Sequence, residues 1–172
     1  MKMEGMSATI TTTRSSELPL SVAETIRSSL TKKGSDTNRD FETIVNGMLE
    51  VKDSLPDYPM SICLRLDPYT DALHCIGWAS ATLWDQSLAL QVFVDPEFRG
   101  MGLATALASL LLVDGILTTE MPLAVFSDST VRLAQRLEFP DIRRYRRVAD
   151  GWLRSERLFD EEPPAPRGTE GQ

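Results

Sequence analysis

The stretch Val92-Phe93-Val94-Asp95-Pro96-Glu97-Phe98-Arg99-Gly100-Met101-Gly102-Leu103-Ala104 decides the reading of this chain. Leu88, Leu90, Val92 and Val94 alternate with Ala89, Gln91 and Phe93, which predicts a strand over Ser87–Val94. Asp95-Pro96 turns the backbone, and Leu103, Leu107, Leu110 and Leu111 then recur at helical spacing, predicting a helix over Met101–Leu117. Between strand and helix, Gly100 and Gly102 leave the backbone amides uncovered. Amides at a helix N-terminus have no intrahelical partner, and the helix dipole adds positive charge, so a phosphate fits there. Arg99 can add a charge-assisted hydrogen bond.

Outward from this segment the pattern is that of one domain. Upstream, Ala8–Thr13 reads as an edge strand, and helices are expected over Ser21–Thr31 and over 37–50. In the second helix Phe41, Ile44, Val45, Met48 and Leu49 form an apolar stripe. Met60–Leu66 and Ala72–Trp84 read as a hairpin around Tyr69, which would set Cys63 opposite Cys75 as two reduced, buried thiols. Downstream follow a strand over Pro122–Phe126, a helix over Thr130–Leu137, and strands over Ile142–Val148 and Trp152–Phe159. Residues 1–7 read as a frayed end, 8–159 as the domain, and 160–172 as a disordered acidic, proline-rich tail.

A net charge of −7 argues against nucleic acid or an acidic membrane as partner and tilts the reading toward a cationic substrate. No stretch has the length of a signal peptide core or a membrane span, so the cytoplasm is the expected location. Two cysteines and the single His74 leave no basis for a metal site. The run Arg143-Arg144-Tyr145-Arg146-Arg147 divides between two strand faces, with acids close by in the sequence. It reads as a structural or homodimer-contact hairpin ahead of a nucleic-acid surface, with reach toward the acceptor or phosphates as a third reading.

Arg99-Gly100-Met101-Gly102-Leu103-Ala104 resembles the acyl-CoA-binding motif of the GNAT superfamily of N-acetyltransferases, [Gln/Arg]-x-x-Gly-x-[Gly/Ala], and Val94-Asp95-Pro96 resembles the turn that precedes it. The resemblance extends to the element order from Ala8 to Phe159. It implies an α/β (α+β) fold: a mixed, mostly antiparallel twisted sheet of about seven strands flanked by about four helices. A V-shaped cleft would open between the fourth and fifth strands, where the strand ending at Val94 should bulge and splay. It further implies acetyl-CoA as cosubstrate and an amine, small-molecule or protein, as acceptor. Phe93, Val94, Arg99, Gly100, Met101, Gly102, Leu103, Ala104, Thr105 and Ser127 would line the cofactor site, with the Val94 amide facing the thioester carbonyl.

The chain departs from the family's second motif, Asn-x-x-Ala-x-x-Leu-Tyr-x-x-x-Gly-Phe. Ser127 stands at the asparagine, Thr130 at the first alanine, Ala134 at the tyrosine that protonates the leaving thiolate, and Glu138 at the glycine. Three readings stay open. The thiolate leaves without an acid, or Ser127, Ser129 or Tyr145 substitutes, or the protein binds acyl-CoA as a silent or protein-interaction module. Asp85, Glu97 and His74 are the candidates for a general base.

Overall fold

The computed structural model describes residues 7–18, 22, 59–149 and 151–159. The two helices expected over 21–31 and 37–50 fall outside these residues except for Val22, as do the tail and residues 1–6. The strands are β1 (Ala8–Arg14), β2 (Pro59–Leu66), β3 (Leu73–Trp84), β4 (Ser87–Val94), β5 (Leu123–Val125), β6 (Ile142–Val148) and β7 (Gly151–Arg154). Two helices, α1 (Leu103–Val113) and α2 (Asp128–Arg136), lie between β4 and β6. One seven-stranded sheet runs in sequence order, antiparallel except where β5 pairs in parallel with β4 and β6.

Strand alternation gives the sheet two apolar faces. Cys63, Ala79, Leu88, Leu90, Leu123 and Val125 pack with Leu103, Leu107, Leu111 and Val131 from the helices. On the other face Trp78 and Phe93 join Leu18, Val22, Met60 and Ile62, and Ala89, Ala124 and Tyr145 form a smaller cluster. α1 is drawn onto the sheet by Leu107, whose side chain approaches the bare Cα of Gly77. Its carbonyl accepts the buried Ser61 hydroxyl at 2.8 Å.

Several expected boundaries shift, each for a local reason. α1 ends four residues early because Gly115, at φ 71°, takes the left-handed cap, and the Ile116 and Leu117 amides turn back to the Leu111 carbonyl. α2 begins two residues early because the Ser127 hydroxyl caps it, accepting from the Thr130 amide at 3.2 Å. β7 stops at Arg154, where the Ser155 hydroxyl accepts the Arg157 amide in a local turn.

The bulge expected in β4 is in β3 instead. The β3–β4 ladder runs without interruption, whereas Cys63 pairs with Gly77 and Leu64 with Cys75, leaving Ile76 as the extra residue. This bulge also corrects the cysteine register. Cys63 and Cys75 are not opposite one another; both are free, buried, and packed on different faces. Burial raises the Cys63 thiol above its ordinary range and pushes Cys75 up to about 12. A raised folded-state value means that the native protein keeps protons the unfolded chain gives up. The associated stability is therefore complete below pH 9 and is lost as the pH climbs toward 12. Urea midpoints in a Cys75→Ala variant are expected to fall less steeply above pH 9 than in the wild type.

At the end of α2, Glu138 sits at φ 61°, with its amide on the Gln135 carbonyl and the Phe139 amide on that of Ala134. This is the position where the family motif carries glycine, and the left-handed backbone explains why. A non-glycine residue there costs about 1–2 kcal/mol, partly offset by glycine's greater freedom in the unfolded chain. Glu138→Gly is expected to stabilise the fold by about 1 kcal/mol in urea titration.

Candidate functional site

β4 and β5 pair only at Leu88–Leu123 and Ala89–Ala124. Beyond Ala89, β4 runs on to Val94 with no strand among the described residues paired to that side, so the sheet opens there. The direction of the exposed amides follows from the ladder on the other side. The Asp95 amide donates to the Ile76 carbonyl at 2.8 Å, across the Gly77–Val94 pair. Gly77–Val94 is therefore a non-hydrogen-bonded pair, and the odd-numbered residues of β4 bond to β3. The even-numbered ones point toward the opening, as the Leu88 amide does in donating to the Pro122 carbonyl at 2.9 Å. Val92 and Val94 thus both present their amides to the opening. Sequence reasoning singled out Val94 alone, because parity depends on the pairing partner.

The turn above the opening is locked. The Asp95 carboxylate accepts the Glu97 amide at 3.1 Å, the Phe98 amide bonds the Asp95 carbonyl, and Phe98 plugs the helix-side core beneath the Arg65 guanidinium. Arg99 folds back, its Nε donating to the Val94 carbonyl at 3.1 Å. Gly100 and Gly102 both adopt φ 80°, and a Cβ on either would meet nothing within 4 Å. Gly102 is the N-cap of α1 and brings no side-chain acceptor, and the first bond within the helix is from the Ala106 amide to its carbonyl. The amides of Leu103, Ala104 and Thr105 therefore begin the helix without intrahelical partners, and no acid lies in the first turn. Open space, uncapped amides and an adjacent guanidinium suit a pyrophosphate.

The structure separates the remaining candidates. Leu103 is buried and offers the loop its backbone, while Met101 is exposed. The Phe93 amide does not face the opening: its backbone bonds to β3, and its ring stacks on Trp78 on the face opposite α1. Thr105 receives a hydrogen bond from Arg136 Nη1 at 3.2 Å, which brings a second guanidinium beside the glycine loop. Sequence reasoning missed Arg136, since only the packing of α2 beside α1 places it there. Ser127 caps α2, and its hydroxyl lies 3.0 Å from that of Ser129 and 2.8 Å from that of Thr130. Asp85 stands at the far end of β4 from Val94. It and Gln86 form the tight β3–β4 turn with φ of 44° and 60°, so the strand's length separates it from the opening. His74 lies 3.8 Å from Asp67 near the tip of the β2–β3 hairpin, three residues beyond the end of the β3–β4 ladder at Gly77. The Asp67 carboxylate holds that tip by accepting the Tyr69 amide, which lowers its pKa.

The arginine run is largely committed within the fold. Arg143 pairs with Asp141, buried Arg144 reaches Asp128 at 3.6 Å, and Arg146 donates to the Phe159 carbonyl. Ala134 is fully buried on the core side of α2, so a tyrosine there would face the core.

The sequence model of the Acetyltransferase (GNAT) family matches residues 40–137, more than half of the chain. The chain belongs to the GNAT acetyltransferase family. No curated protein and no solved structure matches it. The seven-stranded mixed sheet fits the GNAT fold, and membership supports acetyl-CoA-dependent acyl transfer in general. Among the described residues of this GNAT domain, no helix is long and apolar enough to cross a membrane, and no three metal-ligating side chains cluster.

Proposed function

We propose that the protein transfers an acetyl group from acetyl-CoA to an amine by direct attack in a ternary complex. The observation that carries this reading is the joining of the uncapped α1 amides to the opened edge of β4 through one rigid turn. In this reading the amides from Gly100 to Thr105 bind the pyrophosphate, and Arg99 and Arg136 neutralise its charge. The pantetheine arm runs down the β4 edge, and the Val94 amide, with that of Val92, stabilises charge developing on the thioester oxygen. Ser129, exposed and beside Ser127, is the hydroxyl that returns a proton to the leaving thiolate. Such help is modest in need, because a thiol of pKa about 8.5 leaves readily near neutral pH.

None of the seven strands contains an aspartate or glutamate. The base is therefore not a carboxylate of these strands, and in this reading the amine's proton leaves through water. The acyl-transferring domain runs over 8–159, and the cytoplasm is its proposed compartment.

The test is release of free CoA thiol from acetyl-CoA in the presence of a panel of primary amines. Amine-dependent release that falls in the Arg99→Glu, Gly102→Trp variant is expected. Retention of acetyl-CoA with no thiol released by any amine would instead leave a binding module of the same fold.

A further inference from the structure

Two buried polar atoms near the opening lack partners. Ser80 and Gln91 face each other across β3 and β4; Ser80 is fully buried and Gln91 is 7% exposed. Neither the Ser80 hydroxyl nor the Gln91 Oε1 has a hydrogen-bond partner. Native folds rarely leave such groups unpaired, because each costs its full desolvation. Both project from the face opposite α1, and Gln91 follows Leu90 and precedes Val92, where β4 has lost its β5 neighbour.

Among the described residues, aromatic rings stand along the same face of the sheet, and the strands carry no carboxylate. Trp78 stacks on Phe93 at 6.5 Å. Further along the same face, toward the β3–β4 turn, Trp84 meets Tyr145 edge-on at 4.4 Å and Phe126 at 5.3 Å. Apart from His74, every charged residue of the seven strands is an arginine. From the described strands a polycation would thus meet no carboxylate in exchange for its hydration.

We infer that Ser80 and Gln91 are the polar contacts of the acceptor site, and that the acceptor is a monoamine carried on an aromatic or apolar body. This rests on the acetyl-CoA reading above. The Gln91 carbonyl accepts an N–H of the amine and leaves its lone pair free for the thioester. The rings bury the acceptor body. A desolvated site also favours the uncharged, nucleophilic amine over the ammonium. The acidity of the whole chain, which suggested a cationic substrate, resides outside the strands.

Calorimetry on protein saturated with CoA, titrated with 2-phenylethylamine or spermidine, tests this. 2-Phenylethylamine is expected to bind at least about tenfold more tightly than spermidine, and Gln91→Leu to weaken it at least about tenfold with CoA affinity unchanged. Ser80→Ala should act in the same direction. Gln91→Leu should also raise the melting temperature of the ligand-free protein, since it removes an unpartnered buried carbonyl oxygen; a purely structural glutamine would give the reverse. Spermidine binding as tightly, no binding of 2-phenylethylamine, or an unchanged affinity in Gln91→Leu would overturn the inference. A wild type that fails to bind CoA overturns the acetyl-CoA reading and this one with it.

Discussion

Acetyl-CoA at a hundred times its dissociation constant is expected to stabilise the protein by about 2.7 kcal/mol, and the shift is expected to vanish in the Arg99→Glu, Gly102→Trp variant. In a domain of this size that is a rise in melting temperature on the order of 5–10 °C. The reasoning is local. Nothing lies within 4 Å of the place where a side chain at Gly102 would begin, so an indole there enters the space in front of the α1 amides rather than the core. Reversing Arg99 puts a carboxylate beside the strand end and repels phosphate. The left-handed φ of 80° at Gly102 also makes the variant less stable without ligand, by about 1–2 kcal/mol. The quantity to compare is therefore the ligand-induced shift within each protein. A full shift in the variant would place the phosphates elsewhere.

Leu107→Ala is expected to cost about 3 kcal/mol in chemical denaturation. Leu107 is fully buried, and its Cδ1 would lie 3.1 Å from a Cβ at Gly77. α1 packs directly on the strand that aligns β4, so the glycine loop and the opening are held in register by this contact. Gly77→Ala should cost about 1–2 kcal/mol by overpacking. The two costs should not add, because the alanine at 77 occupies space vacated at 107. Rescue remains partial, since the Phe93 carbonyl is also 3.1 Å away and is backbone. Strict additivity in the double variant would show that the two residues do not share a packing site.

The sequence alone carried the local chemistry. Alternation in Ser87–Val94, the Asp95-Pro96 turn and the glycines before Leu103 each depend on neighbours a few residues apart, and they predicted the strand, turn, uncapped helix and anion site together. Glu138 at a glycine position was also legible, although its cause, a left-handed cap, was not. Tertiary structure decided what depends on partners far along the chain. The amides of Val92 and Val94 face the opening only because β3 takes the odd-numbered residues of β4. A one-residue bulge at Ile76 sent two cysteines to opposite faces, because side-chain direction in a strand has period two. Arg136 reaches Thr105 across 31 positions of sequence, and Ser80 meets Gln91 across a hairpin, so neither juxtaposition leaves a periodic trace. Short-range spacing specifies which groups an element presents. Only the register and packing of elements against one another determine which of those groups meet, and which are left without a partner.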